Sequence, residues 1–352
     1  MKVVALLTDS ISENRGTPIR IRQILHQIAR FNQLAVYLPI NYSLTPDLNF
    51  TRLSPKEVGD AVLEADIIYI CGNNGIRFLV KNFKVRNALI LIDLHSLSFH
   101  EISWTTPFLK LQEYLSCLIM RYKLKNHTHI IVATNKRIIA SYSHAVSGIV
   151  LNGIDNFQAP ELSSSEGSSS SQLKIGYVGN GRKYQGIDSL RHAVALINSK
   201  PKNREVTLSL VTSENVNFLD RKPWEILLPG MNPKGVREFI HSMDLMVIPR
   251  LSGQIAKNSL PVKALEYLSS GTVVVLSDAI VLGDSFLQAN VISYKAGSVG
   301  SLAANLTQLL EDPAFFTSVK NQYQSIASYV NSKYSWDIQG ELLQKFMENH
   351  AK

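Results

Sequence analysis

A glycine-bearing loop with two adjacent cations is the feature of this sequence best suited to phosphate chemistry. Residues 173–178 have the pattern of a buried strand, and the loop 179–186 that follows contains Gly181, Arg182 and Lys183 before a helical stretch begins. Backbone N–H groups left open by glycine, together with an arginine and a lysine, are groups that proteins use to bind phosphates. The loop therefore predicts a binding site for a diphosphate.

A second candidate site precedes a predicted helix further along the chain. Residues 245–248 form an apolar run closed by a proline, which is typical of a buried strand and its end. Asn258 and Ser259 suit the N-cap of the helix that follows, and Pro261 suits its first turn. Because open parallel sheets bind phosphate where a helix N-terminus lies beside a strand's carboxyl end, this stretch also predicts a ligand site.

The same predicted helix carries two charged residues that suit a nucleotide. Lys263 and Glu266 stand three residues apart, on a different face from the apolar residues Val262, Leu265 and Leu268. A carboxylate one turn into this helix is placed to accept hydrogen bonds from a ribose diol. Gly271 ends the helix, and the β-branched run that follows is typical of an interior strand.

The N-terminal half opens with a similar α/β pattern. Residues 3–7 predict a strand, the next loop contains Arg15 and Gly16, and apolar residues then recur at helical spacing over 21–28. Gly16 lets the backbone approach a ligand closely. Arg20 falls between the apolar positions and is predicted on the helix surface.

A histidine follows another predicted strand of this half. Residues 89–92 are apolar, and Asp93 and His95 come directly after them. Polar residues just past the carboxyl end of a parallel strand are placed to contact a ligand. The alternative is that His95 hydrogen-bonds to the backbone of its own loop.

The stretch 261–274 resembles the donor-site signature of retaining glycosyltransferases of the GT-B fold, in the large family 4 of the sequence-based classification. The resemblance rests on Pro261, Lys263, Glu266, Tyr267, Gly271, Val273 and Val274. The family pairs two glutamates eight positions apart, and the first of them would fall on Asn258, where this chain departs from the pattern. The resemblance implies that Asn258, Ser259, Lys263 and Glu266 bind a nucleotide-sugar donor.

Other parts of the chain extend this resemblance. The family's phosphate loop carries an arginine, matched by Arg182, and a lysine before the later glycine, where this chain has Gln185. Lys183 is then a displaced substitute for that lysine. The resemblance also implies that Gly16 and Gly181 lie against the donor, and that His95 lies beside the transferred sugar. His95, Arg182 and Lys183 are accordingly the predicted catalytic residues.

Alternating strands and helices predict an α/β chain with two Rossmann-like, doubly wound parallel sheets. The resemblance implies a GT-B fold whose two domains face a cleft. Residues 1–155 are the predicted acceptor-side domain and 156–172 a Ser-rich linker or loop. Residues 173–330 are the predicted nucleotide-sugar domain, and 331–352 a C-terminal helix that crosses back to the N-terminal domain.

Composition is consistent with this organisation. A chain of 352 residues is long enough for two hydrophobic cores, and its net charge is +8. Cys71 and Cys117 both lie in apolar surroundings, which predicts buried, reduced thiols in a cytoplasmic chain. No apolar run reaches the ~18 residues that span a bilayer.

The predicted function is therefore transfer of a sugar, with retention, from a nucleotide-sugar donor to a glycan, lipid-linked or small-molecule acceptor. The donor is a co-substrate, so no cofactor is expected. No Asp-x-Asp motif occurs, and metal independence is expected. Nucleic acid is not an expected partner, because the basic residues are scattered.

Two other functions remain open. Asn258 and the displaced lysine also fit a catalytically silent GT-B protein that acts as a binding or scaffold subunit. A NAD-dependent oxidoreductase shares Rossmann halves, but this chain lacks the Gly-x-Gly-x-x-Gly fingerprint of such enzymes.

One segment suggests contact with a membrane. Residues 98–125 combine aromatic and leucine side chains with basic residues such as Arg121, Lys123 and Lys125. This composition fits a helix on an anionic membrane surface, and equally a core-packed helix with a solvated basic end. The first alternative predicts weak, salt-sensitive peripheral contact at the inner face of the membrane.

Overall fold

The structure is a computed structural model, and it describes most of the two predicted α/β halves. The described residues are 1–8, 16–38, 49–94, 111, 114–115, 118–119, 122–124, 127–134, 138–139, 146–155, 172–200, 205–212, 220–253 and 261–351. The chain divides into two compact units. The first comprises Met1–Gly153 with Trp336–Lys352, and the second comprises Ile154–Ser335.

The first unit contains a parallel sheet in the order β3-β2-β1-β4-β5-β6-β7. Its strands are β1 (Lys2–Leu6), β2 (Gln33–Tyr37), β3 (Thr51–Leu53), β4 (Ile67–Cys71), β5 (Leu89–Leu94), β6 (His129–Ala133) and β7 (Val146–Ile149). Every residue of β4 and β5 is buried. Apolar residues without alternation are expected in central parallel strands, because helices cover both faces of such a sheet.

The second unit contains another parallel sheet, in the order β10-β9-β8-β11-β12-β13. Its strands are β8 (Gln172–Val178), β9 (Glu205–Thr212), β10 (Glu225–Pro229), β11 (Leu245–Ile248), β12 (Val273–Ser277) and β13 (Ile292–Tyr294). In both sheets the strand order reverses direction beside the first strand of the unit. A loop at such a point lies where open α/β sheets bind ligands.

Seven of the described helices lie between successive strands, and the last three follow β13. Those whose bounds are described are α1 (Gly16–Phe31), α2 (Val58–Glu64), α3 (Gly72–Asn82), α4 (Ile187–Asn198), α5 (Pro233–Ser242), α6 (Val262–Ser269), α7 (Ser285–Asn290), α8 (Val299–Glu311), α9 (Pro313–Tyr334) and α10 (Trp336–Glu348). The predicted α/β class, with two doubly wound parallel sheets, is confirmed. None of the described helices is long and apolar enough to cross a membrane.

The core of the first unit lies on both faces of its sheet. Alternate residues of β1 point to opposite sides, so Val3 and Ala5 join one apolar cluster while Val4 and Leu6 join the other. The first cluster includes the buried faces of α1 and α10, and the second includes those of α2 and α3. Cys71 is buried, as predicted, and Cys117 lies outside the described residues.

Candidate functional site

The glycine-bearing loop of the second unit lies against the segment that follows β11. Residues Lys183–Gln185 form a single 3-10 turn, and Gly186 then adopts a left-handed backbone with φ of 73°. A side chain at Gly186 would collide with the carbonyl oxygen of Pro249, so only glycine allows this contact. The backbone N–H of Leu251 also donates to the carbonyl of Tyr184 at 3.0 Å. The loop is therefore fixed at the carboxyl end of β11.

Lys263 reaches this loop from the first turn of α6. Its Nζ donates to Oε1 of Gln185 at 2.9 Å and to the hydroxyl of Tyr177 at 3.3 Å. The ammonium also lies 4.5 Å from the centre of the Tyr177 ring. A Cβ on Gly179 would be 3.1 Å from Nζ, so this glycine leaves room for the lysine. The structure thus brings Lys263 to the loop residue Gln185, a contact that the sequence did not predict.

Arg250 is a second cation in the same region. It follows β11 by two residues, is 8% exposed, and places its guanidinium 5.9 Å from the centre of the Tyr184 ring. Burial lowers the pKa of Arg250 below its usual value. Sequence analysis did not assign Arg250 to the site. The available signal was its position just past the carboxyl end of a buried parallel strand.

Arg250 affects the protonation of Lys263. Burial, followed by repulsion from Arg250, lowers the pKa of Lys263 well below its usual value, and the attraction of Glu266 only partly opposes this. Two positive charges held close together in a buried site favour a ligand with negative charge. This region of the second unit therefore has the electrostatics of an anion site.

Glu266 lies one turn beyond Lys263 on α6. Burial, and next the negative charge of Asp155, raise its pKa to about 7, while Arg237 and Lys263 oppose the rise. Near neutral pH this carboxyl group is therefore divided between its protonated and ionised forms. Both forms can accept hydrogen bonds from sugar hydroxyls, and the ionised form accepts them more strongly.

Tyr267 fastens α6 to the start of the glycine-bearing loop. Its hydroxyl accepts a hydrogen bond from the backbone N–H of Val178 at 2.9 Å and donates to the carbonyl of the same residue at 3.2 Å. Both bonds lie at the last residue of β8. Tyr267 belongs to the sequence pattern that suggested the family, and in the structure it holds the helix that carries Lys263 and Glu266.

The other predicted residues of this loop are more exposed. Arg182 and Lys183 are both exposed, and Gly181 is partly buried. The backbone N–H of Arg182 donates to Oδ1 of Asn180 at 3.3 Å, which shapes the turn. Lys183 begins the 3-10 turn that ends at Gln185, the partner of Lys263.

The start of α6 differs from the prediction. Asn258 and Ser259 were predicted as N-caps with Pro261 in the first turn, but Pro261 itself occupies the N-cap position and α6 begins at Val262. Pro261 has ψ of 128°, an extended conformation that places it before the helix. Asn258 and Ser259 lie outside the described residues, so their predicted donor contacts stay predictions.

The first unit contains a buried polar network around Asp93, which precedes His95 by two residues in the sequence. Gly16 is the first residue of α1, and His95, which follows β5, lies outside the described residues. Asp93, near the end of β5, accepts hydrogen bonds from the guanidinium of Arg20 at 2.7 and 3.1 Å. The hydroxyl of Tyr69 also donates to Asp93 at 3.1 Å.

The prediction that Arg20 lies on the helix surface is wrong. Its side chain is fully buried, and besides Asp93 it donates to the carbonyls of Val150 and Leu151 and to Oδ1 of Asn152. The helical pattern predicted a solvated position, because it shows only which residues of α1 are apolar. Four hydrogen-bonding groups from distant segments offset the cost of burying this charge.

Metal ligands do not cluster in the described parts of either unit. No group of three or more histidine, cysteine, aspartate or glutamate side chains in them is arranged to hold a metal ion. Metal independence stays a prediction, because residues such as 95–110 and 254–260 lie outside the described part of the chain.

A known protein family matches the part of the second unit that contains the candidate site. Residues 172–312 match the family described as glycosyl transferases group 1. This segment contains the loop with Arg182, the end of β11 with Arg250, and α6 with Lys263 and Glu266. No curated protein matches the chain in sequence.

Solved structures resemble the chain over almost its whole length. Sucrose-phosphate synthase from Thermosynechococcus elongatus superposes with a TM-score of 0.68 at 14% identity, covering 99% of both chains. HepE from Anabaena, solved with UDP-glucose, has a TM-score of 0.68 at 11% identity and covers 99% of this chain and 100% of its own. For α,α-trehalose 6-phosphate synthase from Burkholderia multivorans the TM-score is 0.63 at 10% identity, with 99% and 96% covered.

These identities are low, so the likeness shows the fold. The predicted GT-B fold is confirmed, and so is the resemblance to group 1 glycosyltransferases in the half of the chain that carried the motifs. The chain therefore has the GT-B fold, and its residues 172–312 match the family of group 1 glycosyl transferases.

Proposed function

We propose that this chain is a retaining glycosyltransferase that moves a sugar, expected to be a hexose, from a nucleotide-sugar donor to an acceptor. The observation that carries the proposal is a pair of cations, the buried Arg250 and the partly buried Lys263, beside the glycine-bearing loop 179–186. Burial lowers the pKa of each, and their charges repel one another. A bound diphosphate would relieve that repulsion, which favours a ligand with at least two negative charges.

The same cations suit the chemistry of transfer. When the bond between sugar and diphosphate breaks, negative charge builds up on the leaving group, and fixed positive charges stabilise it most at that point. Lys263 and Arg250 would supply two such charges, and Arg182 a third from the exposed side of the loop. Lys263 then takes the role predicted for Lys183, whose side chain points to solvent.

Glu266 is the proposed partner of the donor's ribose. It lies on the same helix as Lys263, one turn further on, which matches the separation between a diphosphate and its ribose hydroxyls. The pKa of about 7 means that donor binding, which favours the ionised carboxyl, should release protons near neutral pH.

For the acceptor side, the proposal rests on the resemblance. His95 and Gly16 are the proposed residues of the first unit that meet the sugar and the donor, and the acceptor is a glycan, a lipid-linked molecule or a small molecule. A lipid-linked acceptor would bring the enzyme to the inner face of a membrane. We propose a reaction without a metal ion, because three cationic side chains are available for the diphosphate.

The test is a donor screen followed by product analysis. Nucleotide-sugars that differ in base and sugar, with UDP-glucose first because HepE was solved with it, are compared for stabilisation against thermal unfolding. A donor at about 100 times its Kd should add about 2.7 kcal/mol. NMR of the product then gives the anomeric configuration, and chelator should leave the rate unchanged.

Two results would contradict the proposal in different ways. A product of inverted configuration would reject retention while keeping glycosyl transfer. A donor that binds and stabilises the protein, yet is neither transferred nor hydrolysed with any class of acceptor, would favour the catalytically silent alternative.

A further inference from the structure

In the chain between β5 and β6, the described residues include an unusual set of exposed apolar side chains. The described residues of 111–124 are helical, and those that are large, apolar and between 41% and 78% exposed are Leu111, Tyr114, Leu115, Leu118, Ile119 and Tyr122. We refer to these residues as the apolar stripe.

The spacing of the apolar stripe places its members on one side of a helix. Successive members are three and then one residue apart, and residues three or four apart are neighbours on a helical surface. From Leu111 to Tyr122 the stripe is roughly 16 Å long at 1.5 Å per residue. An amphipathic helix in a globular domain normally buries such a face against its core. Here that face is turned outward.

The opposite side of the segment is the one that packs. Leu124 is buried and belongs to the core cluster that also contains Val58 and Ile76. At about 100° per residue, Leu124 lies roughly opposite the centre of the stripe. The stripe is therefore exposed because the segment packs through its opposite side. Among the described residues of 111–124, only Leu124 is packed in the core, as the alternative of a core-packed helix requires.

Charge indicates what covers the apolar stripe. Between residues 110 and 125 the sequence has four basic residues, Lys110, Arg121, Lys123 and Lys125, and a single acidic one, Glu113. Lys123 is helical and exposed directly after the stripe. The whole chain carries a net charge of +8, so two copies would repel each other across this face. An anionic surface would be attracted to it.

We propose that the apolar stripe lies in the interfacial region of an anionic membrane, with Lys123 contacting lipid phosphates. Leucine and isoleucine enter the acyl boundary of a bilayer, and tyrosine suits the headgroup region, where its hydroxyl stays hydrated. Basic residues close to the surface add attraction that salt weakens. This surface belongs to the first unit and does not depend on the proposed transfer reaction.

The experiment uses the full chain and vesicles of phosphatidylcholine, with and without phosphatidylglycerol. Binding is measured by co-sedimentation at about 0.01 M salt, where the Debye length is about 30 Å, and at about 1 M, where it is about 3 Å. The parent protein should bind the anionic vesicles at low salt, release from them at high salt, and bind neutral vesicles much less.

Substitutions then locate the surface. Leu115→Glu and Leu118→Glu should each weaken binding about tenfold or more, since burying one leucine is worth about that factor. Leu63→Glu is the matched control. Leu63 lies in α2 of the same unit and is 48% exposed against 49% for Leu115, but it is not in the stripe. It should bind as the parent does. Lys123→Glu should weaken binding at low salt only.

Thermal unfolding checks that each variant is folded. Each substituted residue is exposed, so the substitutions should leave the fold intact. Failure of the parent protein to bind anionic vesicles at low salt would overturn the proposal without any variant. Equal losses in Leu63→Glu and Leu115→Glu would also overturn it. Sedimentation velocity tests the remaining occupant: a dimer that Leu115→Glu dissociates, in a protein that does not bind vesicles, would assign the stripe to a second copy of the chain.

Discussion

Lys263 donates a hydrogen bond from Nζ to Oε1 of Gln185 at 2.9 Å, so an ammonium from α6 lies at the loop position where the resembling family carries its lysine. The contact joins residues 78 positions apart in the sequence. Because a cation in either place can reach the same ligand, the departure at Gln185 and the presence of Lys263 can be two parts of one arrangement. That relationship leads to a direct test.

Exchanging the side chains of Lys263 and Gln185 tests whether binding needs a cation in this region or a lysine at position 263. Lys263→Gln removes the cation and should weaken binding of a nucleoside diphosphate by roughly 1.5–3 kcal/mol, the usual worth of hydrogen bonds to charged groups. Adding Gln185→Lys to that variant should restore part of the loss, because the charge returns to the same region. Calorimetry with the nucleoside diphosphate measures both.

Lys183→Ala is the matched control for this exchange, since it removes an exposed lysine two residues from Gln185. It should change affinity much less than Lys263→Gln does. If Lys183→Ala costs more than Lys263→Gln, the diphosphate is held by the exposed side of the loop, and Lys263 and Arg250 have another role.

Glu266→Ala should lose donor affinity while the protein stays folded. The carboxyl group is the side chain on α6 best placed for ribose hydroxyls, and its loss should cost roughly 1.5–3 kcal/mol of binding. The same change should matter little for the binding of inorganic pyrophosphate, which has no ribose. An unchanged Kd for the complete donor would remove Glu266 from the site.

The raised pKa of Glu266 should make the stability of the folded protein depend on pH. Its pKa rises from 4.5 to about 7 on folding, so the unfolded chain ionises first and folding is penalised as pH rises through this interval. Stability that is present below pH 4.5 is thus lost progressively up to about pH 7 and is constant above it.

Glu266→Gln should remove this loss, because the amide does not ionise. Relative to the parent, the variant should gain stability between pH 5 and pH 8, by roughly 1–3 kcal/mol at about 1.4 kcal/mol per pKa unit. Urea unfolding at a series of pH values gives the difference. A constant difference across the series would mean that Glu266 has an ordinary pKa in the folded protein.

Arg182→Ala should reduce kcat more than it raises KM. Arg182 is exposed on the loop, so its charge is screened in the ground state, and it is needed most when the diphosphate departs. Steady-state kinetics with the donor identified by screening separates the two constants. A raised KM at the parental kcat would show that Arg182 binds donor and transition state equally.

Much of the fold was predictable because its signals are local. The apolar run closed by a proline predicted β11 at 245–248 to the residue. Gly271, predicted to end α6, has φ of 74° just after the helix, a conformation that other residues rarely adopt. Such features depend on neighbouring residues, which the sequence displays directly.

The side chains of the site depend on distant residues, and here the sequence was less informative. Nothing near Arg250 shows that Tyr184 lies beside it, or that a loop 78 positions earlier receives Lys263. The helix start was misplaced because Asn258 and Ser259 have the chemistry of N-caps, whereas the extended backbone of Pro261 decides where α6 begins. Arg20 was misjudged for the same reason as Lys263: its partner Asp93 is 73 positions away.

The last prediction concerns that buried pair in the first unit. Asp93 accepts hydrogen bonds from Arg20 and from Tyr69, and all three side chains are shielded from solvent. Asp93→Asn keeps an acceptor for Tyr69 but leaves the guanidinium without its counter-charge, which should destabilise the protein by about 3–5 kcal/mol. Arg20→Met alone should cost a similar amount, because it leaves the carboxylate of Asp93 buried without its cation.

The double variant Arg20→Met/Asp93→Asn has no buried charge at this place, and so it should be less destabilised than the sum of the single variants. The coupling should reach about 1–3 kcal/mol in a double-mutant cycle measured by urea unfolding. Additive effects would show that the two charges are each stabilised by the surrounding backbone groups, such as the carbonyls of Val150 and Leu151, and that the pair itself adds nothing.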